Sequence, residues 1–244
     1  MASALFELPS RTLVSGEKNL NLSRPILMGI LNPTPDSFSE DSNFFEFDDA
    51  LSQAMKIIAD GADWLDIGGE SSGPGSTEVP LEEELRRVIP LIKEVRSESD
   101  IWISVDTWKA EVARQSLDAG ADAVNDVSAL RADKEMAGVI AEYQVPVILM
   151  YSKDSSPRTT RNHTEYRDVM HTIISFFRER FEYTELNGIF SDKCLHFAFL
   201  SPLSKLVLIP KEFTSVITLL VFSFISSSIS IVAINILFFK TNKS

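Results

Sequence analysis

Two segments, "DGADWLDIGGE" at residues 60–70 and "AGADAVNDVSA" at 119–129, share one design. Each reads Gly-Ala-Asp, then a short apolar run, then Asp or Asn. In each, the glycine follows a stretch with helical spacing of apolar residues. Gly61 and Gly120 stand where a helix needs a left-handed cap, a conformation glycine adopts without steric cost. A helix stop followed by a buried strand, used more than once, is the signature of a repeated βα unit. It favours a parallel sheet with crossover helices.

The rest of the first 189 residues follows that rhythm. Strands are predicted at 26–31, 64–67, 101–105, 123–125 and 147–150, with helices at 48–60, 81–96, 109–119, 134–143 and 166–186. In the first helix Leu51, Ala54, Met55 and Ile58 recur on one face. That makes five βα units. In such folds ligands bind beyond the carboxyl ends of the strands. Every polar cluster falls at one of those ends: "NPTPDS", "DIGGESSGPGS", "VDT", "NDVSAL" and "MYSKDSSPRTTRNH". Loops are generally polar, but five such clusters in register with five strand ends predict a rim lined for binding.

Charge narrows the partner. A net charge of −12 argues against nucleic acid, since phosphate neutralisation needs clustered Lys and Arg. The single cysteine, Cys194, cannot close an internal disulfide, which favours a reducing, cytoplasmic setting. No basic segment followed by an apolar core opens the chain, so no signal peptide is expected. His163, His171 and His196 have no metal-ligand spacing.

Composition breaks near residue 189. Residues 190–244 hold five Lys, two acidic residues and no glycine, whereas all ten glycines lie at or before Gly188. The organisation expected is an N-terminal extension at 1–25, a barrel portion at 26–189 and an apolar tail at 190–244. Within the tail, residues 213–239 carry no charge. Two readings stand. About 20 apolar residues span a bilayer, which makes this a membrane-helix candidate. Its Ile, Val, Phe and Ser bias equally suits sequence read out of frame, and a break in mid-barrel favours that second reading.

Four motifs, in order and at matching spacing, resemble dihydropteroate synthase, the pterin-binding (β/α)₈-barrel family of folate biosynthesis. They are "MGILNPTPDSFSE", "GADWLDIGGESSGPG", "SVDTWKAEVA" and "AVNDVSAL". The resemblance runs from Ile26 to about Ile189. It implies a TIM-type α/β barrel, here incomplete, because such a barrel needs about eight strands. It also implies condensation of 6-hydroxymethyl-7,8-dihydropterin diphosphate with 4-aminobenzoate, releasing diphosphate and using Mg2+. A family-like homodimer is compatible with it.

Site residues carry over by motif. Asp106 matches the pterin-binding carboxylate, which can accept paired N–H donors from an amidine edge. The plain alternative is a helix N-cap, a task Thr107 can take. Asn125 matches the family's pterin-binding Asn, with a turn-forming Asn as the alternative. Asp126 reads as loop support. Asn32 matches the Asn whose amide oxygen meets magnesium and diphosphate. Asp36 and Ser37 fall on the loop that closes over the second substrate. Ser72 keeps a hydroxyl in the second loop, but Gly73 stands where the family has Arg. Lys153, Arg158 and Arg161 either replace that charge or are solvated. Met150 reads as packing against a flat ring or as core. The family's later Asp-Pro-Gly, Ser-Arg-Lys and Arg-x-His motifs do not occur after Ile189.

Two other functions fit part of the pattern. A pterin-dependent methyltransferase shares the Asp and Asn at strands three and four, though "NPTPDSFS" argues against it. A non-catalytic pterin-binding or membrane-tethered protein would need only the half-site.

Overall fold

In the computed structural model, residues 12–32, 43–73, 76–153, 166–198, 217–226 and 229–237 are described. A hairpin, β1 (Thr12–Ser15) and β2 (Lys18–Asn21), precedes the repeated units. The units follow as β3 (Ile26–Leu31), α1 (Asn43–Ala59), β4 (Trp64–Gly68), α2 (Leu81–Glu98) and β5 (Trp102–Asp106). Then come α3 (Ala110–Asp118), β6 (Ala123–Asp126), α4 (Met136–Tyr143), β7 (Val147–Tyr151), α5 (Val169–Leu186) and β8 (Cys194–Ala198). Strands β3 to β8 pair in parallel, each with the next. The five expected βα units are all there, and a sixth parallel strand extends past residue 189.

The described residues of the apolar run are strand, not helix. Residues of the apolar run form two strands, β9 (Ile217–Ser226) and β10 (Ile229–Leu237), paired antiparallel. Strand β9 lies parallel to β8, and β10 lies antiparallel to β3, so the ring of eight strands closes through a hairpin rather than through βα units. Among the described residues no helix is long and apolar enough to cross a membrane, which corrects the membrane-helix reading of 213–239.

Packing sorts the strand residues into two layers, as the period of two requires. Outward residues Leu65, Ile67, Ile103, Val105, Val124, Val147 and Leu149 join the helix faces in one core. Helix α2 contributes Val88, Leu91, Ile92 and Val95, all fully buried and each worth roughly 1.5–3 kcal/mol. Inward residues Met28, Trp64, Trp102, Ala123, Ile148 and Leu195 form a second cluster with Leu13, Leu20 and Leu22 of the hairpin. The hairpin therefore plugs the amino-terminal mouth of the barrel. Asp122 fastens it there, accepting from Lys18 Nζ at 2.8 Å and Arg96 at 2.6 Å, while Ser15 donates to its carbonyl. With that end closed, the carboxyl ends of the strands are left to form the site.

Candidate functional site

Inward positions one step above the apolar plug are polar. Asp66 on β4 stands opposite Ser104 on β5, Gly68 opposite Asp106, and Asp106 opposite Asn125 on β6. Asp66 is 2% exposed. Its carboxylate accepts from the Ser104 hydroxyl and, at 2.9 Å, from Asn125 Nδ2. Burial pushes its pKa up to about 6, against the pull of those two bonds. Asp106 has an oxygen, Oδ1, closed off from solvent with no bonding partner. Burial first, then the charges of Asp66, Asp126 and Glu84, raises the Asp106 carboxyl well above the ordinary carboxylate range. A buried acceptor left open is costly unless a ligand supplies the donor.

Two adjacent glycines make room for this arrangement. A Cβ on Gly68 would lie 2.7 Å from Asn32 Oδ1 and 3.2 Å from Asp106 Cβ, so both side chains close on that bare backbone. A Cβ on Gly69 would lie 2.9 Å from Glu84 Cγ, so the second glycine lets α2 approach the strand end. Behind the rim, Lys109 donates to Glu70, to Glu84 and, at 2.9 Å, to the Val79 carbonyl. Burial pulls the Lys109 pKa down, but the bonds to Glu70 and Glu84 outweigh it and hold the pKa above its usual value. Thr107 donates to Glu84 at 2.7 Å. This network ties the loop after β4 to the loop after β5.

The structure brings together Asn32, Asp106 and Asn125 at neighbouring strand ends, and Met150 joins them from β7. Met150 is half-buried and alternates with Ile148 of the inner cluster, which directs it inward. Ser72 is half-buried on the loop after β4. Asp36 and Ser37 lie outside the described residues, as do Arg158 and Arg161. Lys153 sits 4.4 Å above the Tyr166 ring. Asp126 supports its loop as expected, accepting from the backbone of Ser128 at 2.7 Å and of Leu130 at 2.9 Å. Thr107 does not cap α3: the helix begins at Ala110, whose N–H is met by Asp133 at 2.8 Å. Sequence reasoning missed Asp66 and Ser104, whose only local signal is a polar residue at an inward position of an apolar strand.

Among the described residues no cluster of His, Cys, Asp and Glu could cage a metal. Asn32 is exposed at the rim and offers one amide oxygen. That donor suits a hard cation that keeps most of its waters and takes its other ligands from phosphate.

Strands β3 to β9 run parallel, and Asp66, Asp106 and Asn125 gather acceptor groups toward their carboxyl ends. Comparison with known proteins agrees with that description. The family described as pterin binding enzyme matches residues 28–197, and the chain belongs to that family. Over 165 residues it is 43% identical to the dihydropteroate synthase of Clostridium beijerinckii, covering 67% of this chain and 58% of that one. It is 42% identical over 172 residues to the Synechocystis sp. enzyme, covering 70% and 59%. Dihydropteroate synthase from Xanthomonas albilineans with 4-aminobenzoic acid superposes with a TM-score of 0.70 at 41% identity, covering 77% of this chain and 66% of that one. The same organism's enzyme in complex with 7,8-dihydropteroate gives 0.66 at 38%, covering 76% and 64%. The chain thus spans about six tenths of the length of the curated relatives it matches.

Proposed function

We propose that this chain carries the pterin-holding part of a dihydropteroate synthase. The reaction its site serves is condensation of 6-hydroxymethyl-7,8-dihydropterin diphosphate with 4-aminobenzoate. One observation carries the reading: a buried Asp106 oxygen without a partner, at the carboxyl end of β5 and paired in register with Asn125. A pterin edge offers adjacent N–H donors, and a carboxylate receives two of them well. Asn125 adds a further contact to the same ring, and Met150 lays a polarisable sulfur against its face. Asn32 gives its amide oxygen to magnesium at the diphosphate end. Magnesium, when bound, offsets the charge of the departing diphosphate. Ser72 supplies a hydroxyl near that group, and Asp36 and Ser37 belong to the loop that covers 4-aminobenzoate. A cytoplasmic setting accords with a buried, unbridged Cys194.

In the condensation the aryl amine forms a C–N bond to the pterin methylene as its C–O bond to diphosphate breaks. The amine proton passes to solvent. The protein's part is positioning and electrostatics. A second reading is favoured by Gly73, which stands where the family resemblance implies Arg: a pterin binder that does not turn over.

Incubation with both substrates and magnesium, followed by chromatography for dihydropteroate, tests the proposal. Product formed by the wild type and lost in Asp106→Ala supports synthase activity. Pterin binding without product supports the non-catalytic binder. Absence of both overturns the pterin reading.

A further inference from the structure

Beneath the site, four side chains form a hydrogen-bond chain whose direction is fixed at its inner end. Trp64 Nε1 donates to Ser104 Oγ at 2.8 Å. An indole can only donate, so the Ser104 oxygen must accept, and its own proton is free to go on. It goes to Asp66 Oδ1. The other oxygen, Asp66 Oδ2, accepts from Asn125 Nδ2 at 2.9 Å. Trp64 cannot turn to reverse the order. It is 2% exposed and packed in the inner cluster, with the Trp102 ring 5.3 Å away.

The consequence falls on Asn125. A carboxamide has one acceptor end and one donor end, and an ionised carboxylate can only accept. The donor end of Asn125 is therefore committed to Asp66. The acceptor end is left for the mouth of the barrel, beside the open oxygen of Asp106.

We propose that Asp66 is a positioning residue that locks the Asn125 carboxamide with its carbonyl oxygen toward the ligand. The inner chain thereby makes the site select rings whose edge presents N–H donors over rings that present carbonyl oxygens. This inference rests on the pterin reading of the site. Burial raises the Asp66 pKa only to about 6, so the acceptor-only form prevails at neutral pH.

Replacing the carboxylate by an amide reverses the lock. In Asp66→Asn, Ser104 still donates to the oxygen, so the new NH2 faces residue 125. Asn125 must then turn its carbonyl inward and offer its NH2 to the ligand. The test compares 6-hydroxymethylpterin with 6-hydroxymethyllumazine, in which an oxo group replaces the 2-amino group. Binding of each to the full chain is measured by calorimetry at neutral pH. The wild type should prefer the pterin, and Asp66→Asn should shrink the pterin-to-lumazine affinity ratio by about tenfold, one lost neutral hydrogen bond plus its mismatch. Ser104→Ala removes one of the two bonds that orient Asp66, and should shrink the same ratio by about threefold, a fraction of one such bond. It also serves if Asp66→Asn does not fold. A ratio unchanged in either folded variant, both ligands weakening by the same factor, overturns the positioning role while leaving the pterin reading intact. Wild type that binds neither ligand overturns both.

Discussion

Asp106 sits in a state that only a ligand improves. Its ionised form is penalised by burial and by three neighbouring carboxylates, and Oδ1 has no donor. Pterin N–H groups would favour the charged form, so its pKa should fall on binding and a proton should be released. Affinity should therefore weaken as pH drops below the free-protein pKa. Calorimetry in two buffers of different ionisation enthalpy measures that release directly. Asp66, raised by burial as well, gives a stability prediction. Its folded value of about 6 exceeds the ordinary 3.8, so the folded state holds its proton longer than the unfolded chain. The group costs nothing below pH 4 and about 3 kcal/mol above its folded pKa, from a shift of roughly two units. Wild-type stability relative to Asp66→Asn should fall between pH 4 and about 6, which urea titrations across that range will show. At the rim, Asn32→Ala should weaken magnesium-dependent diphosphate binding and spare free pterin. Equal binding with and without a chelator would contradict that. Asp106 and Asn125 could be singled out in the sequence because each is a polar residue closing a short apolar run at a predicted strand end. Asp66 could not: its partners Ser104 and Asn125 lie 38 and 59 residues away, and no local pattern announces such a contact.

At the scale of elements, the lysine that joins two loops is the most consequential contact outside the core. The Lys109 side chain is 19% exposed, and the carboxylates of Glu70 and Glu84 are each 1% exposed. Removing the cation in Lys109→Met leaves both acids buried and unneutralised, at a cost of about 3–5 kcal/mol. Lys56→Ala breaks an exposed i,i+4 pair with Asp60 and should cost less than about 0.5 kcal/mol. Urea denaturation of the two variants side by side measures the contrast, and equal effects would contradict the network's weight. The helices were read well from apolar spacing and glycine caps, and Gly61, Gly120 and Gly188 do adopt positive φ. Ends were less legible. Helix α3 takes its cap from Asp133, 23 residues away, so the nearby Thr107 misled. The β1–β2 hairpin escaped notice because its two-residue turn is Gly16-Glu17 rather than a common Asn-Gly or Asp-Gly pair. Strand β8 is five residues long and lies beyond the compositional break.

On the scale of the molecule, five βα units and a sixth strand build one side of the site, and an antiparallel hairpin closes the ring. Strands were not among the two readings of the apolar tail, because a continuous apolar run has no periodicity to separate helix from strand. A chain in which residues 199–244 are exchanged for the corresponding part of a matched synthase should add the later anion and ring contacts that the family resemblance implies. Its affinity for the pterin diphosphate should rise by at least about tenfold, the worth of one charged hydrogen bond. Calorimetry on the exchanged chain checks that rise. The central claim is narrower and does not depend on it: the strand-end pocket holds a pterin by Asp106. The direct measurement is equilibrium titration of the full chain with 6-hydroxymethylpterin, wild type against Asp106→Ala. Saturable one-to-one binding by the wild type, weakened about tenfold or more in the variant, is the expected result. Equal affinity in the two proteins, or no binding by a folded wild type, would contradict it.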